Sequence, residues 1–429
     1  MEISFQNKLL NKLNEIIKRW GWKVLFSFID QGMFSGANFI INILLARWLL
    51  PEGYGTYAFG FSVFIFISGI QTAVVLEPMA IFGSTRHYQN QADYFSLLII
   101  CQFVMTVVLG VILGISTLFI SKQLQPALIG VAISCPFILL IWLVRQACYV
   151  QTRTSLAMQA SIIYAIILLI CSFIFKTMNL LSPFSVYLLM AFSSVIAIII
   201  PTRALGMHLF HIKIDKKILI DLISECWKYG KWILIAAIAN WISTYIYVPL
   251  ITEFSGLSQA AAFRAMQNFT LPLQQVLAAL YLILLPYISR QKSAKGKGYL
   301  RKTTRRVLLL FSGIVFAYNA VLLLFSHEII KIFYGNSYYQ GFIWLIPCLI
   351  AISFITVFSQ VFSLSLRVMQ KPNAILWSKI GAAFMVVTAG IFAIRQLGLI
   401  GVIMCIGLSA FAESFISISY YKISILKVD

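Results

Sequence analysis

Apolar segments of about 20 residues recur along this chain from end to end, each long enough to cross roughly 30 Å of hydrocarbon as a helix. Lipid offers no partner to backbone N–H and C=O groups, so a segment of this kind must close its own hydrogen bonds, and helices are the solution open to such a series. Of the 429 residues, 61% are hydrophobic and 11% charged, and the mean hydropathy is +0.92, which excludes a water-soluble globule. The pattern predicts twelve spans, near 24–46, 54–76, 94–120, 127–149, 155–175, 183–202, 230–251, 259–286, 307–326, 340–364, 374–394 and 398–420. The expected fold is an all-α integral membrane protein of about twelve transmembrane helices, in two six-helix lobes around a central cavity.

The net charge of +20 would point to nucleic acid in a soluble protein, but its distribution follows topology instead. With the N-terminus in the cytoplasm, inner segments carry about 26 Lys and Arg residues against about six outside, the positive-inside asymmetry. The outer six are Arg47, Lys122, Lys176, Arg264, Lys331 and Arg395, with Lys379 left inside a span. No nucleic-acid partner is expected. Four divisions follow: a cytoplasmic amphipathic helix over 1–22, an N-lobe over 23–202, a cytoplasmic inter-lobe loop over 203–229, and a C-lobe with a short tail over 230–429. The 203–229 loop and the acid-free 287–306 loop read as inner loops resting on anionic headgroups. Gln31 and Ser35 recur as Asn240 and Thr244 at an offset of 209, which fits two parallel repeats with a substrate between them.

Polar side chains inside the spans mark where function lies. On span 1, Gln31, Ser35, Asn38 and Asn42 fall at i, i+4, i+7 and i+11, a stripe about 60° wide at 100° per residue. Amides are costly against acyl chains, so the stripe should face other helices or a hydrated cavity. On span 8, Arg264, Asn268 and Gln275 share an arc about 40° wide, with Gln267 and Gln274 beside it and Pro272 able to kink the helix. Arg264 needs water, a carboxylate or a substrate anion, or else snorkels to the outer interface. Arg47 and Arg145 carry the same two readings. Guanidinium forks suit phosphate oxygens, so Arg47, Arg145 and Arg264 together would favour an anionic group. Asp30 and Glu413 are candidates for ion coupling; Asp30 is equally readable as hydrated at the interface, and Glu413 as paired. Hydroxyls on span 10 (Ser353, Thr356, Ser359, Ser363) read more readily as helix packing.

Catalysis is not indicated. Outer loops are short, and His87, His208, His211 and His327 show no spacing with Cys or acids that would build a metal site or a triad. No phosphate-loop pattern is present, and six of the seven cysteines lie within predicted spans, so neither cofactor, metal nor disulfide framework is expected.

The run Asp30-Gln31, Asn38, Leu45-Ala46-Arg47 and Pro51-Glu52-Gly53-Tyr54-Gly55-Thr56-Tyr57 resembles the start of the Wzx-type polysaccharide flippases, in the superfamily that includes the MATE exporters and the lipid II flippase. Phe333-Tyr334-Gly335-Asn336-Ser337-Tyr338 is similar to that family's Phe-Gly-x-x-Tyr loop. The resemblance implies flipping of an undecaprenyl-diphosphate-linked oligosaccharide across the bacterial inner membrane by alternating access, for O-antigen, capsule or exopolysaccharide. It implies a polysaccharide polymerase and a chain-length regulator as possible partners besides the lipid-linked substrate and membrane lipids, and it places Arg47 and Arg264 where the family often has cavity cations. Trp241, Tyr245 and Tyr247 are candidates for stacking on sugar rings, with an interfacial aromatic belt an equal reading for Tyr245 and Tyr247. The alternatives are a MATE-like ion-coupled exporter, whose lumen should be acidic, and a polymerase or ligase of the same pathway.

Overall fold

The computed structural model describes residues 2–207, 216–335 and 338–426, with the side chains of 2–20, 216, 282, 286, 290, 292–297 and 426 outside that description. His208, His211 and Lys213 of the predicted inter-lobe loop, and Asn336 and Ser337 of the outer loop, therefore lie outside the described residues. So do the side chains of the N-terminal basic residues through Arg19 and those of Arg290, Lys292, Lys295 and Lys297.

The described residues form helices throughout. In chain order they are α1 (Glu2–Trp48), α2 (Pro51–Gln71), α3 (Glu77–Phe82), α4 (Gln91–Ser116), α5 (Gln125–Val150), α6 (Thr154–Thr177), α7 (Pro183–Ala204), α8 (Lys216–Thr244), α9 (Tyr247–Ser255), α10 (Leu257–Asn268), α11 (Leu271–Leu324), α12 (Ser326–Tyr334), α13 (Leu345–Val368), α14 (Pro372–Met385), α15 (Ile391–Leu397) and α16 (Leu399–Leu426). Among the described residues, eleven helices are long and apolar enough to span a membrane, or twelve if the bent α8–α9 pair is one span. This agrees with the expected number.

Prolines account for most of the departures from the predicted boundaries. Pro249 would set its ring against the carbonyl of residue 245 in a continuous helix, and the predicted seventh span breaks at 245–246, bending by 44°. Pro272 starts a new helix rather than kinking an old one: the predicted eighth span stops at Asn268, and Pro272 occupies the first turn of α11. A π turn over Thr72–Leu76 precedes Pro78 and gives its ring room. The predicted 287–306 inner loop is instead helical backbone within the 54-residue α11. High charge predicts a loop there, yet Lys, Arg, Gln and Ala are good helix formers and no proline interrupts them. In the same way α1 runs from Glu2 through residue 22 without a break.

The chain divides into two compact units, residues 1–41 with 67–234, and residues 42–66 with 235–429. In the first, α5 lies at the centre, 72% of its apolar stretch buried, against α4, α6 and α7. In the second, α16 packs on α13, α14 and α15, and α11 packs on α13 around Leu277, Phe311, Val315 and Val361.

Candidate functional site

Two of the buried cations singled out in the sequence have opposite fates. In the first unit, Arg145 forms a two-pronged ion pair with Asp30, Nε to Oδ1 at 3.0 Å and a terminal nitrogen to Oδ2 at 2.8 Å. Tyr149 and Ser161 hydroxyls donate to the same carboxylate, and the guanidinium lies 4.0 Å from the Phe34 ring centroid. Asp30 is wholly buried. Asp30 is therefore not hydrated at the interface, and Arg145 does not snorkel: each neutralises the other in a low-dielectric site where neither would persist alone. Asn38 completes the group, donating to the Phe34 carbonyl at 2.8 Å and accepting from Tyr164 at 3.2 Å. Of the remaining span 1 residues, Asn42 is buried while Gln31 and Arg47 are exposed.

In the second unit, Arg264 sits on α10, 5% exposed. One terminal nitrogen donates to Gln267 Oε1 at 2.8 Å, the guanidinium carbon lies 5.1 Å from the Phe61 ring centroid, and its Nε–H meets no acceptor. Among the described residues no carboxylate comes within ion-pair distance of it. An almost wholly buried guanidinium with a donor to spare is costly unless an anion or water completes it.

The helix carrying Arg264 is short for local reasons. Gly256 (φ +89°) turns the chain between α9 and α10 in a conformation that L side chains rarely adopt, and Pro272 prevents α10 from running on. On α2, Ala58, Phe61 and Ser62 present one face at helical spacing, and with Thr244, Tyr245, Tyr247, Val248, Phe263, Arg264 and Gln267 they line a small pocket with a free volume of about 10 Å³. That is room for about one water. The Ser62 hydroxyl donates to the Tyr245 carbonyl at 2.7 Å.

The remaining candidates are placed as follows. The Trp241 indole donates to the Ser62 carbonyl at 2.9 Å and packs on Phe66, and Tyr247 is buried with its hydroxyl on the Ser243 carbonyl. Both are engaged within the protein itself, where the expectation was stacking on sugar rings; Tyr245 lines the pocket. Asn240 is half-buried and Gln275 exposed. Asn268 is buried and donates to the Tyr54 hydroxyl at 2.9 Å. Glu413 pairs with Lys379 at 2.9 Å, the two side chains 16% and 26% exposed. Thr356 and Ser359 bond back to carbonyls of their own helix. Among the described residues no cluster of His, Cys, Asp and Glu could hold a metal ion. Phe61 and Ser62 were missed in the sequence because their segment is uniformly apolar to the eye; the spacing 58, 61, 62 after Tyr54 was the available signal.

A family model described as polysaccharide biosynthesis protein matches residues 44–341. No curated protein sequence gives a significant match. Among solved structures, a multidrug resistance MATE family transporter of the MOP superfamily, in an inward-facing conformation, aligns with a TM-score of 0.73 at 13% identity over 93% of this chain and 95% of that one. The lipid II flippase MurJ, in an inward closed conformation, aligns with a TM-score of 0.71 at 15% identity over 94% and 90%. A MOP superfamily transporter from Pyrococcus furiosus, for which a binding pocket of reverse polarity is described, aligns with a TM-score of 0.62 at 13% identity over 94% of each chain. These likenesses establish the fold, that of a multi-span membrane protein, and the structures that share it are transporters and a flippase rather than enzymes.

Proposed function

The chain belongs to the polysaccharide biosynthesis protein family, and from that premise we propose that it is a flippase for an undecaprenyl-diphosphate-linked oligosaccharide, moving the polar head across the bacterial inner membrane by alternating access. The observation that carries this reading is Arg264: buried, without a carboxylate partner among the described residues, and holding an unused Nε–H. A diphosphate supplies the charge and the acceptor oxygens that such a group lacks; the pocket beside Arg264 has room for about one water, so in this proposal it widens during alternating access to admit the headgroup. Gln267 and Ser62 beside it are polar groups of the kind that sugar hydroxyls bond. The fold shared with a lipid II flippase supports a lipid-linked substrate, and the transporter of the same fold whose reverse pocket polarity suggests a different function supports a fold open to more than one kind of cargo.

In this proposal the termini and the basic 203–229 segment face the cytoplasm, the product enters surface polysaccharide, and a polymerase and chain-length regulator act downstream. The MATE-like fold favours one rival, an ion-coupled exporter of organic cations. Its acids would be Asp30 and Glu413, and each is already engaged by a basic side chain. To test the proposal, surface polysaccharide is measured at matched protein level in cells carrying Arg264→Ala or Arg264→Lys. Loss with Ala and partial retention with Lys are expected; a normal amount with Ala would remove Arg264 from the mechanism.

A further inference from the structure

Residues of the two stretches that resemble a known family, Tyr54 and Gly55 of one and Tyr334 of the other, converge in the second unit on the helix that carries Arg264. A helix leaves its last four carbonyls without intrahelical partners, and α10 ends abruptly at Asn268. The Tyr334 hydroxyl donates to the Ala265 carbonyl at 2.9 Å. One residue past the helix, the Tyr318 hydroxyl donates to the Phe269 carbonyl at 2.6 Å. On the other side, Asn268 donates to the Tyr54 hydroxyl at 2.9 Å.

Tyr54 and Tyr334 are in turn held by Tyr339, with ring centroids 6.4 Å and 5.0 Å away. At the start of α10, a Cβ built on Gly55 would lie 2.1 Å from the Leu257 carbonyl oxygen, so α2 meets α10 backbone to backbone. A helix of twelve residues is thus gripped at its first residue by Gly55 and at its last turn by two tyrosines. Arg264 lies between the grips, one turn before Asn268. Phe61, whose ring lies under the guanidinium, is two turns beyond Tyr54 on α2, so one helix carries both a grip on α10 and the surface against which Arg264 rests.

We infer that Tyr54 and Tyr334 are positioning residues for Arg264, fixing α10 so that the guanidinium meets an anionic group in one geometry. The inference rests on the anion-binding reading of Arg264. Preorganisation of this kind acts on affinity, because an arginine already held in place has less freedom to lose when it binds.

The test is titration of inorganic pyrophosphate into the purified full chain in detergent, comparing wild type with Arg264→Ala, Tyr334→Phe, Tyr54→Phe and Tyr421→Phe. The last removes a hydroxyl bonded to Thr304 in the same unit and controls for general loosening. Tyr334→Phe and Tyr54→Phe each keep the ring, and either alone carries the test if the other does not fold. The expected result is a loss of binding with Arg264→Ala, a weakening of about tenfold, or about 1.4 kcal/mol, with each positioning variant, and unchanged binding with Tyr421→Phe. Wild-type affinity in both positioning variants, or equal weakening by Tyr421→Phe, would overturn the positioning role and leave the anion site standing. If Arg264→Ala binds like wild type, or wild type does not bind, the anion reading fails and the positioning role with it.

Discussion

Buried charge in this protein is handled in two ways, and single residues show the difference. The Asp30 carboxylate accepts from Arg145, Tyr149 and Ser161, so replacing it strands a guanidinium that is otherwise fully matched. Asp30→Asn should lower stability by about 3–5 kcal/mol, the usual cost of breaking a buried pair from one side. Glu413→Gln should cost clearly less, because its pair with Lys379 is partly open to its surroundings. Thermal unfolding in detergent, with both variants at the same pH, checks the order; equal losses would mean that burial does not separate the two pairs. Arg264 shows the other way, a buried cation whose own unit gives it a neutral hydrogen-bond partner only. The sequence showed all of these residues to be costly inside a membrane. It could not show which would meet, since Asp30 and Arg145 are 115 residues apart and helical periodicity is silent beyond a single helix.

At the scale of elements, the second unit depends on how closely α2 approaches α10. Gly55 has no space for a methyl group beside Leu257, whereas Gly313 on α11 has nothing within 4 Å of a Cβ position. Gly55→Ala should destabilise by about 1–3 kcal/mol through forced separation of the two helices. Gly313→Ala should stabilise by about 0.5–1 kcal/mol by favouring the helical backbone. Melting midpoints of the two variants decide this, and a neutral Gly55→Ala would refute the close approach. The spans themselves were legible, because twenty apolar residues in a row dictate a helix in lipid. Their interruptions were less so. Pro249 and Pro272 announced a disturbance without saying whether the helix would kink or end, and the basic run after Arg290 looked like a loop because its hydrophilicity masked its helix propensity. The tyrosine contacts around α10 were hidden for another reason: Tyr54, Tyr318 and Tyr334 come from three separate helices, and only the fold brings their hydroxyls to one helix end.

For the whole molecule, the family match gives polysaccharide biosynthesis and the shared fold is that of a multi-span membrane protein, and both support the proposed movement of a cargo across a membrane. The two acids considered for ion coupling, Asp30 and Glu413, are each engaged by a basic side chain, which supports the proposed anionic cargo, a diphosphate-linked oligosaccharide. The most direct measurement follows the cargo itself: depletion of the protein from growing cells, with lipid-linked oligosaccharide quantified on each leaflet of the inner membrane. The expected result is a build-up of the diphosphate-linked intermediate on the cytoplasmic leaflet while surface polysaccharide falls. Unchanged leaflet distribution with normal surface polysaccharide, or accumulation of organic cations in the cells instead, would contradict it.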